Sequence, residues 1–201
     1  MSAEPVRLAV RLAVLLSGRG SNFEAVLAAQ SAGDFPAQIV LVGSDNVNAA
    51  GLQTARLAGI ATTALARSDF GSKQEHETAL HSALEAHDVE VVVLAGYMRL
   101  LSADFIARWE NRIVNIHPSL LPAYPGLDTH ARAIADGAEL HGCTVHLVDA
   151  GMDTGPILAQ SQLTVSPGET PEALAARVLK MEHRLYPKVI ADFCERLRAT
   201  R

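Results

Sequence analysis

Apolar residues in this chain fall into short runs separated by polar turns, not into one long stretch. Leu12–Leu16 is such a run, closed by Ser17-Gly18, and predicts a buried strand. Ser21 or Asn22 then caps a helix, "NFEAVLAAQSAG", that Gly33 stops. Ile39–Val42 is a second strand, Ala49–Ala58 a helix ending at Gly59, and Ile60–Leu65 a short strand. Gln74–His87 reads as a helix with its polar residues spaced around one face. Val89–Gly96 is the strongest strand pattern, apolar on both faces, as expected of a central parallel strand covered by helices.

The second half continues the alternation. Ser102–Trp109 predicts a helix capped by Ser102, Arg112–His117 a strand and Thr129–Asp136 a short helix. Cys143–Val148 and Ile157–Val165 are strands expected to pair as a long-looped hairpin. "TPEALAARVLKMEHRLYPKVIADFCERLRA" is a long helical segment. Pro171 suits its first turn, and Pro187 is expected to break or kink it. The order predicts an α/β sandwich whose sheet is mostly parallel at first and mixed towards the C-terminus.

Composition narrows the function. A length of 201 residues, 49% hydrophobic and 19% charged, suits one globular domain. The net charge of -5 argues against binding nucleic acid by neutralising phosphates. It leaves room for a small anion held by backbone donors. Cys143 and Cys194 are far apart and form no paired motif, so reduced cytoplasmic thiols are expected. The N-terminal apolar run is interrupted by Arg7 and Arg11, too short and charged for a membrane span and unlike a secretory signal. The doubled "VRLAVRLAV" fits either a longer first strand or an extension ahead of it.

Three motifs carry possible chemistry. "LLSGRGSN", Leu15–Asn22, is a glycine-rich turn from a strand into a helix. Gly20, Ser21 and Asn22 would aim N–H groups at an anion near the helix N-terminus. Phe23 stands where a dinucleotide fingerprint needs a third glycine, and no Walker lysine follows, so the anion would be a single phosphate. An ordinary capped turn explains the same residues equally well. In "NIHPSLLPAYPG", Asn115 and His117 are two apart on a strand and share a face, at the edge where open α/β sheets bind ligands. An amide donor and an imidazole suit stabilising an oxyanion and delivering a proton in acyl transfer. Taken alone, a capping His and a turn Asn are the simpler explanation. "DAGMDTGP" offers Asp153, which would favour the charged form of His117 if the two meet. A solvated loop is again the plainer account. His146 fits a core or edge strand position, His130 a helix start, and Glu182-His183 a surface pair on the last helix. No metal-ligand spacing is present, and Ser119 and Cys143 lack the surroundings of a nucleophile.

"SGRGSN", "VVLAGYMRLLS", "NIHPSLLPAYPGLDTHARAI", "HGCTVHLVDAGMDTGPIL" and "EHRLYP" occur in this order. Together they resemble the phosphoribosylglycinamide formyltransferases, folate-dependent enzymes of purine biosynthesis, from about Leu12 to about Phe193. The resemblance implies a single domain over 1–201 with a Rossmann-like three-layer sandwich. A phosphate and ribonucleotide half would run to about residue 100, and a folate and catalytic half over about 97–201. It implies transfer of a formyl group from 10-formyltetrahydrofolate, a co-substrate, to glycinamide ribonucleotide, with no metal. Asn115, His117 and Asp153 would be catalytic. Gly20, Ser21 and Asn22 would hold the phosphate, and Glu182 the ribose hydroxyls. Met98, Arg99, Leu100 and Leu101 would line the folate pocket, beside a loop of Asp149, Ala150, Gly151, Met152, Asp153 and Thr154, with His146 behind. Leu179 stands where some relatives have a basic residue, and Lys180 is one position out of register. The protein would be cytoplasmic, a monomer or homodimer, with neither nucleic-acid nor membrane partners.

Other readings share parts of this pattern. A formyltetrahydrofolate hydrolase would use water as nucleophile and carry an N-terminal regulatory domain, for which this length leaves no room. A methionyl-tRNA formyltransferase would add a C-terminal domain and positive charge. A non-catalytic phosphometabolite-binding module would need the glycine-rich loop but not Asn115, His117 and Asp153.

Overall fold

The computed structural model describes residues 9–200. A seven-stranded sheet runs in the order β3-β2-β1-β4-β5-β6-β7. The strands are β1 (Val10–Leu16), β2 (Ala37–Ser44), β3 (Ala61–Ala64), β4 (Val91–Leu94), β5 (Ile113–His117), β6 (Leu140–Leu147) and β7 (Ile157–Thr164). Pairs among β1 to β5 are parallel, while β5–β6 and β6–β7 are antiparallel. The expected hairpin of the last two strands is therefore present. The first copy of the N-terminal "VRLAV" lies largely outside the described residues; the second enters β1.

Helices α1 (Ser21–Ser31), α2 (Ala50–Leu57), α3 (Lys73–Glu85), α4 (Ala103–Arg108), α5 (Thr129–Ala135) and α6 (Pro171–Ala199) connect or follow the strands. Alternation along the strands divides the core in two. Val10, Leu12, Val14 and Leu16 of β1 face one way, with Phe23 and Val26 of α1, Leu52 of α2 and the apolar stripe of α6. Ala13 and Leu15 face the other, with Leu80 and Leu84 of α3 and Phe105 and Trp109 at α4. The sheet is thus buried on both sides, which explains the unbroken apolar run Val91–Leu94. On β5 the second face includes Ile113 and then turns polar, with Asn115 and His117 at the same parity.

Two local expectations are corrected. Helix α1 is entered through Gly20 at φ 77°, with no side-chain cap. Ser21 already lies in the helix, and the amide of Asn22 is drawn to Glu182 instead. Helix α6 runs through Pro187 without ending there. A proline inside a helix costs about 3 kcal/mol. Burial of an aliphatic or aromatic side chain contributes roughly 1.5–3 kcal/mol. Tyr186, Val189, Ile190 and Phe193, all buried around that proline, outweigh it.

Candidate active site

The chain winds from β1 outward to β2 and β3, then returns to place β4 on the other side of β1. The carboxyl ends of β1 and β4 thus flank the point where an open sheet binds ligands. The end of β5 lies two strand spacings from β1, roughly 10 Å. At β1 the turn needs Gly20. Gly20 is left-handed, and a Cβ there would come 2.9 Å from Leu16 Cδ2. Gly51 of α2 packs in close and donates to the Gly18 carbonyl at 3.2 Å. The first turn of α1, beginning with Ser21 and Asn22, presents N–H groups that have no partner within the helix. Asn22 Nδ2 donates to Glu182 Oε2 at 2.7 Å. Glu182 is only 6% exposed, which corrects its expected place in a surface pair. The signal was in the sequence: Leu174, Val178, Glu182 and Tyr186 follow one another at helical steps of four, all buried. Burial pushes the Glu182 carboxyl above its ordinary value, against the opposing hydrogen bond from Asn22.

At the end of β5 the three dispersed residues meet. His117 Nδ1 lies 3.3 Å from Asp153 Oδ2, and its Nε2 lies 2.9 Å from the Tyr124 carbonyl. A carbonyl and a carboxylate only accept, so a ring that donated to both would carry a proton on each nitrogen. Asp153 Oδ2 also accepts from the Gly126 N–H at 2.9 Å. Burial pushes the Asp153 carboxyl up, but the His146 ring, the Gly126 N–H and the charge of His117 outweigh it. The group ends below the usual carboxylate range. It is therefore no solvated loop acid. Its backbone is left-handed, at φ 56°, a conformation aspartate tolerates better than most residues.

His146 faces Asn115 across the β5–β6 ladder. Its Nδ1 meets the Leu147 carbonyl at 2.9 Å, and its Nε2 meets Asn115 Nδ2 at 3.1 Å. With Nδ1–H given to the Leu147 carbonyl, a neutral ring would accept from the Asn115 amide. The same Nε2 lies 3.6 Å from Asp153 Oδ1, to which a charged ring would donate. His146 thus lies against both the Asn115 amide and the Asp153 carboxylate.

The remaining predicted residues lie on two loops. Met98 and Leu100, 65% and 66% exposed, stand beyond β4 with the half-buried Leu101. The Met98 N–H donates to Ser17 Oγ at 2.9 Å, and Arg99 Nε to Asp45 Oδ2 at 2.7 Å. In the second loop Asp149 Oδ1 accepts from Gly151 N at 3.0 Å and Thr154 Oγ1 at 2.8 Å, while Ala150 is exposed. Met152 is half exposed and reaches Gly126, where an added Cβ would sit 3.1 Å from its sulfur. A cavity of about 230 Å³ lies elsewhere, between α3 and α4, lined by Lys73, Glu77, His81 and Arg108 among others. It contains none of the predicted site residues. Among the described residues no group of three or more His, Cys, Asp or Glu is arranged to hold a metal.

Residues 10–190 match the sequence profile of the family described as formyl transferase. The chain belongs to the formyl transferase family. Phosphoribosylglycinamide formyltransferase of Escherichia coli (strain K12) is 41% identical over 186 residues, 92% of this chain and 88% of that protein. Trifunctional purine biosynthetic protein adenosine-3 of Drosophila melanogaster is 43% identical over 183 residues, 90% of this chain. The chain spans only 14% of that longer protein. A crystal structure of phosphoribosylglycinamide formyltransferase from Brucella melitensis is 54% identical with a TM-score of 0.89, covering 93% of this chain and 96% of that one.

Several residues that shape this candidate site escaped the sequence reading. Thr144 Oγ1 donates to the Ser119 carbonyl at 2.6 Å and accepts from Leu121 N at 3.0 Å, while Gln160 Nε2 donates to the Leu121 carbonyl at 2.8 Å. Thr129 Oγ1 donates to the Pro118 carbonyl at 2.8 Å. These bonds fix the loop whose Tyr124 carbonyl and Gly126 N–H face His117 and Asp153. The alternation in "CTVH" signals Thr144, since it shares a face with His146. Gln160 on an edge strand gives no such signal.

Proposed function

We propose that this formyl transferase moves a formyl group from N10 of 10-formyltetrahydrofolate to the amine of glycinamide ribonucleotide. The products are formylglycinamide ribonucleotide and tetrahydrofolate. The observation that carries this reading is the meeting of Asn115, His117 and Asp153 at the end of β5, beside a turn built for phosphate. The names of the relatives support it, and the amine nucleophile explains why no activated serine or cysteine is needed.

The ribonucleotide phosphate sits on Gly20, Ser21 and Asn22, and its ribose hydroxyls reach the Glu182 carboxylate. The N-terminal half, to about residue 100, thus receives the ribonucleotide with Glu182 added from α6; the rest, from about residue 97, receives the donor. Met98, Leu100 and Met152 offer apolar cover to the folate ring, and the backbone of Met98–Leu101 offers polar groups to its edge. Asp149–Thr154 borders it. Both substrates are soluble metabolites, so the reaction belongs in the cytoplasm.

In the reaction the amine attacks the formyl carbon. A C–N bond forms and the formyl oxygen becomes an oxyanion. Asn115 donates an N–H to it, its amide oriented by His146. The Nε2–H of His117 leaves the Tyr124 carbonyl for the same oxygen, while Asp153 balances the ring's charge. A proton then passes from the amine, through water and Asp153, to the departing N10 as the C–N10 bond breaks.

Purified protein with both substrates, followed by folate absorbance, tests the proposal. Turnover should require the ribonucleotide; consumption of the donor without it would mean hydrolysis instead. His117→Ala is expected to retain ligand binding by calorimetry and lose about 100- to 1000-fold in kcat. Normal turnover in that variant would refute the role of His117.

A further inference from the structure

The loop between β5 and α5 sets two backbone groups against the proposed catalytic residues: the Tyr124 carbonyl at His117 Nε2 and the Gly126 N–H at Asp153 Oδ2, each at 2.9 Å. That stretch is not relaxed. Tyr124, Gly126 and Asp128 have φ of 55°, 77° and 56°, all left-handed. A bulky residue such as Tyr124 is an outlier there and persists only where its surroundings hold it. Arg132, one turn into α5, supplies such a hold. Its Nη1 donates to the Pro125 carbonyl at 2.7 Å and to the Leu127 carbonyl at 3.2 Å. Its guanidinium carbon lies 5.5 Å from the centroid of the Tyr124 ring, within reach of cation–π attraction. The Pro125 carbonyl and the Gly126 N–H belong to one peptide unit, which is planar. Fixing its oxygen therefore fixes the direction of its N–H. A cation on that oxygen also polarises the peptide and strengthens the bond its N–H gives. The hydrogen bonds thus run in a chain from Arg132, through this peptide, to the carboxylate that lies 3.3 Å from His117 Nδ1.

We infer that Arg132 is a positioning residue for the reaction: by fixing the Pro125–Gly126 peptide it aims the Gly126 N–H at Asp153 and holds the Tyr124 carbonyl at His117. It touches no reacting atom. The inference rests on the proposed roles of Asp153 and His117.

Steady-state kinetics with each substrate varied in turn, beside thermal denaturation, test it. Arg132→Ala is expected to lower kcat roughly tenfold and leave both KM values within about twofold. The melting temperature should stay within about 4 °C. One nitrogen serves both carbonyls, so the ammonium of Arg132→Lys can take its place and should restore most of kcat. In an Asp153→Asn background Arg132→Ala should add a loss of about twofold or less, because groups that act as a unit are not additive. If Arg132→Ala fails to fold, Arg132→Met, which keeps the apolar stem and removes the donor, carries the same expectations. A raised KM with kcat unchanged would mean that Arg132 binds a substrate itself and would overturn the inference. So would full additivity with Asp153→Asn, or a loss in Arg132→Lys as large as in Arg132→Ala. His117→Ala separates this inference from the reading beneath it. If that variant loses turnover while Arg132→Ala keeps its kcat, the positioning role alone fails. If His117→Ala turns over normally, the reading of the site fails and takes the inference with it.

Discussion

An acidic side chain on the packed face of a helix is stabilised only by what it meets there. Glu182 meets the Asn22 amide, and burial still prevails in raising its pKa. For a folded pKa above the unfolded one, the linked stability is fully present below the unfolded value. It is lost as pH rises through the folded value. Glu182→Gln removes that penalty while keeping an acceptor for Asn22. The variant should melt at or above the wild-type temperature at neutral pH, with the difference closing towards about pH 4. Its ribonucleotide KM should rise roughly 10- to 100-fold, the worth of hydrogen bonds to a charged group. Scanning calorimetry across pH and initial-rate kinetics check the two halves; a lower melting temperature at pH 7 would contradict the first. Single residues were legible where alternation fixed a face, as for Asn115 and His117. Asp153 was less so: it was a candidate partner for His117, but a loop has no period, and a solvated loop remained the plainer account.

Helix α6 shows how an element's packing overrides its local grammar. Pro187 reads as a break or a kink, and of the two the break does not occur: the segment stays helical from Pro171 to Ala199. One residue earlier, the buried Tyr186 hydroxyl lies 2.8 Å from the Leu94 carbonyl and 2.9 Å from that of Val114. These carbonyls close β4 and precede Asn115, so the phenol braces the two strands where the site opens. Tyr186→Phe leaves them without that donor, a loss of about 1–3 kcal/mol. A chain of this size should then melt roughly 2–10 °C lower by thermal denaturation. An unchanged melting temperature would mean that the carbonyls find other donors. Strands were the easiest elements to read, since each is a short apolar run. Their ends were less clear: Leu140 is exposed, so the start of β6 was missed. The 3-10 turn at Arg67–Asp69 buries no residue and left no apolar signal.

At the scale of the whole molecule, the fold class followed from strand–helix order, but strand neighbours, the pairing of Asn22 with Glu182 and the meeting of Asn115 and Asp153 at His146 did not. Periodicity reports which face a residue takes, not which distant segment covers it. That coverage is tight enough to silence both cysteines. Burial pushes the thiols of Cys143 and Cys194 up to about 12. Neither should react with an aromatic disulfide reagent in the native protein, and labelling in rising urea should follow the loss of circular dichroism; rapid native labelling would contradict this. The hydrogen bond between Asn22 and Glu182 joins positions 160 apart. At ribosomal speeds of about 5–20 residues per second, roughly 10–30 s separate the synthesis of those partners. A nascent chain therefore displays its glycine turn well before the acid that accepts from Asn22 exists.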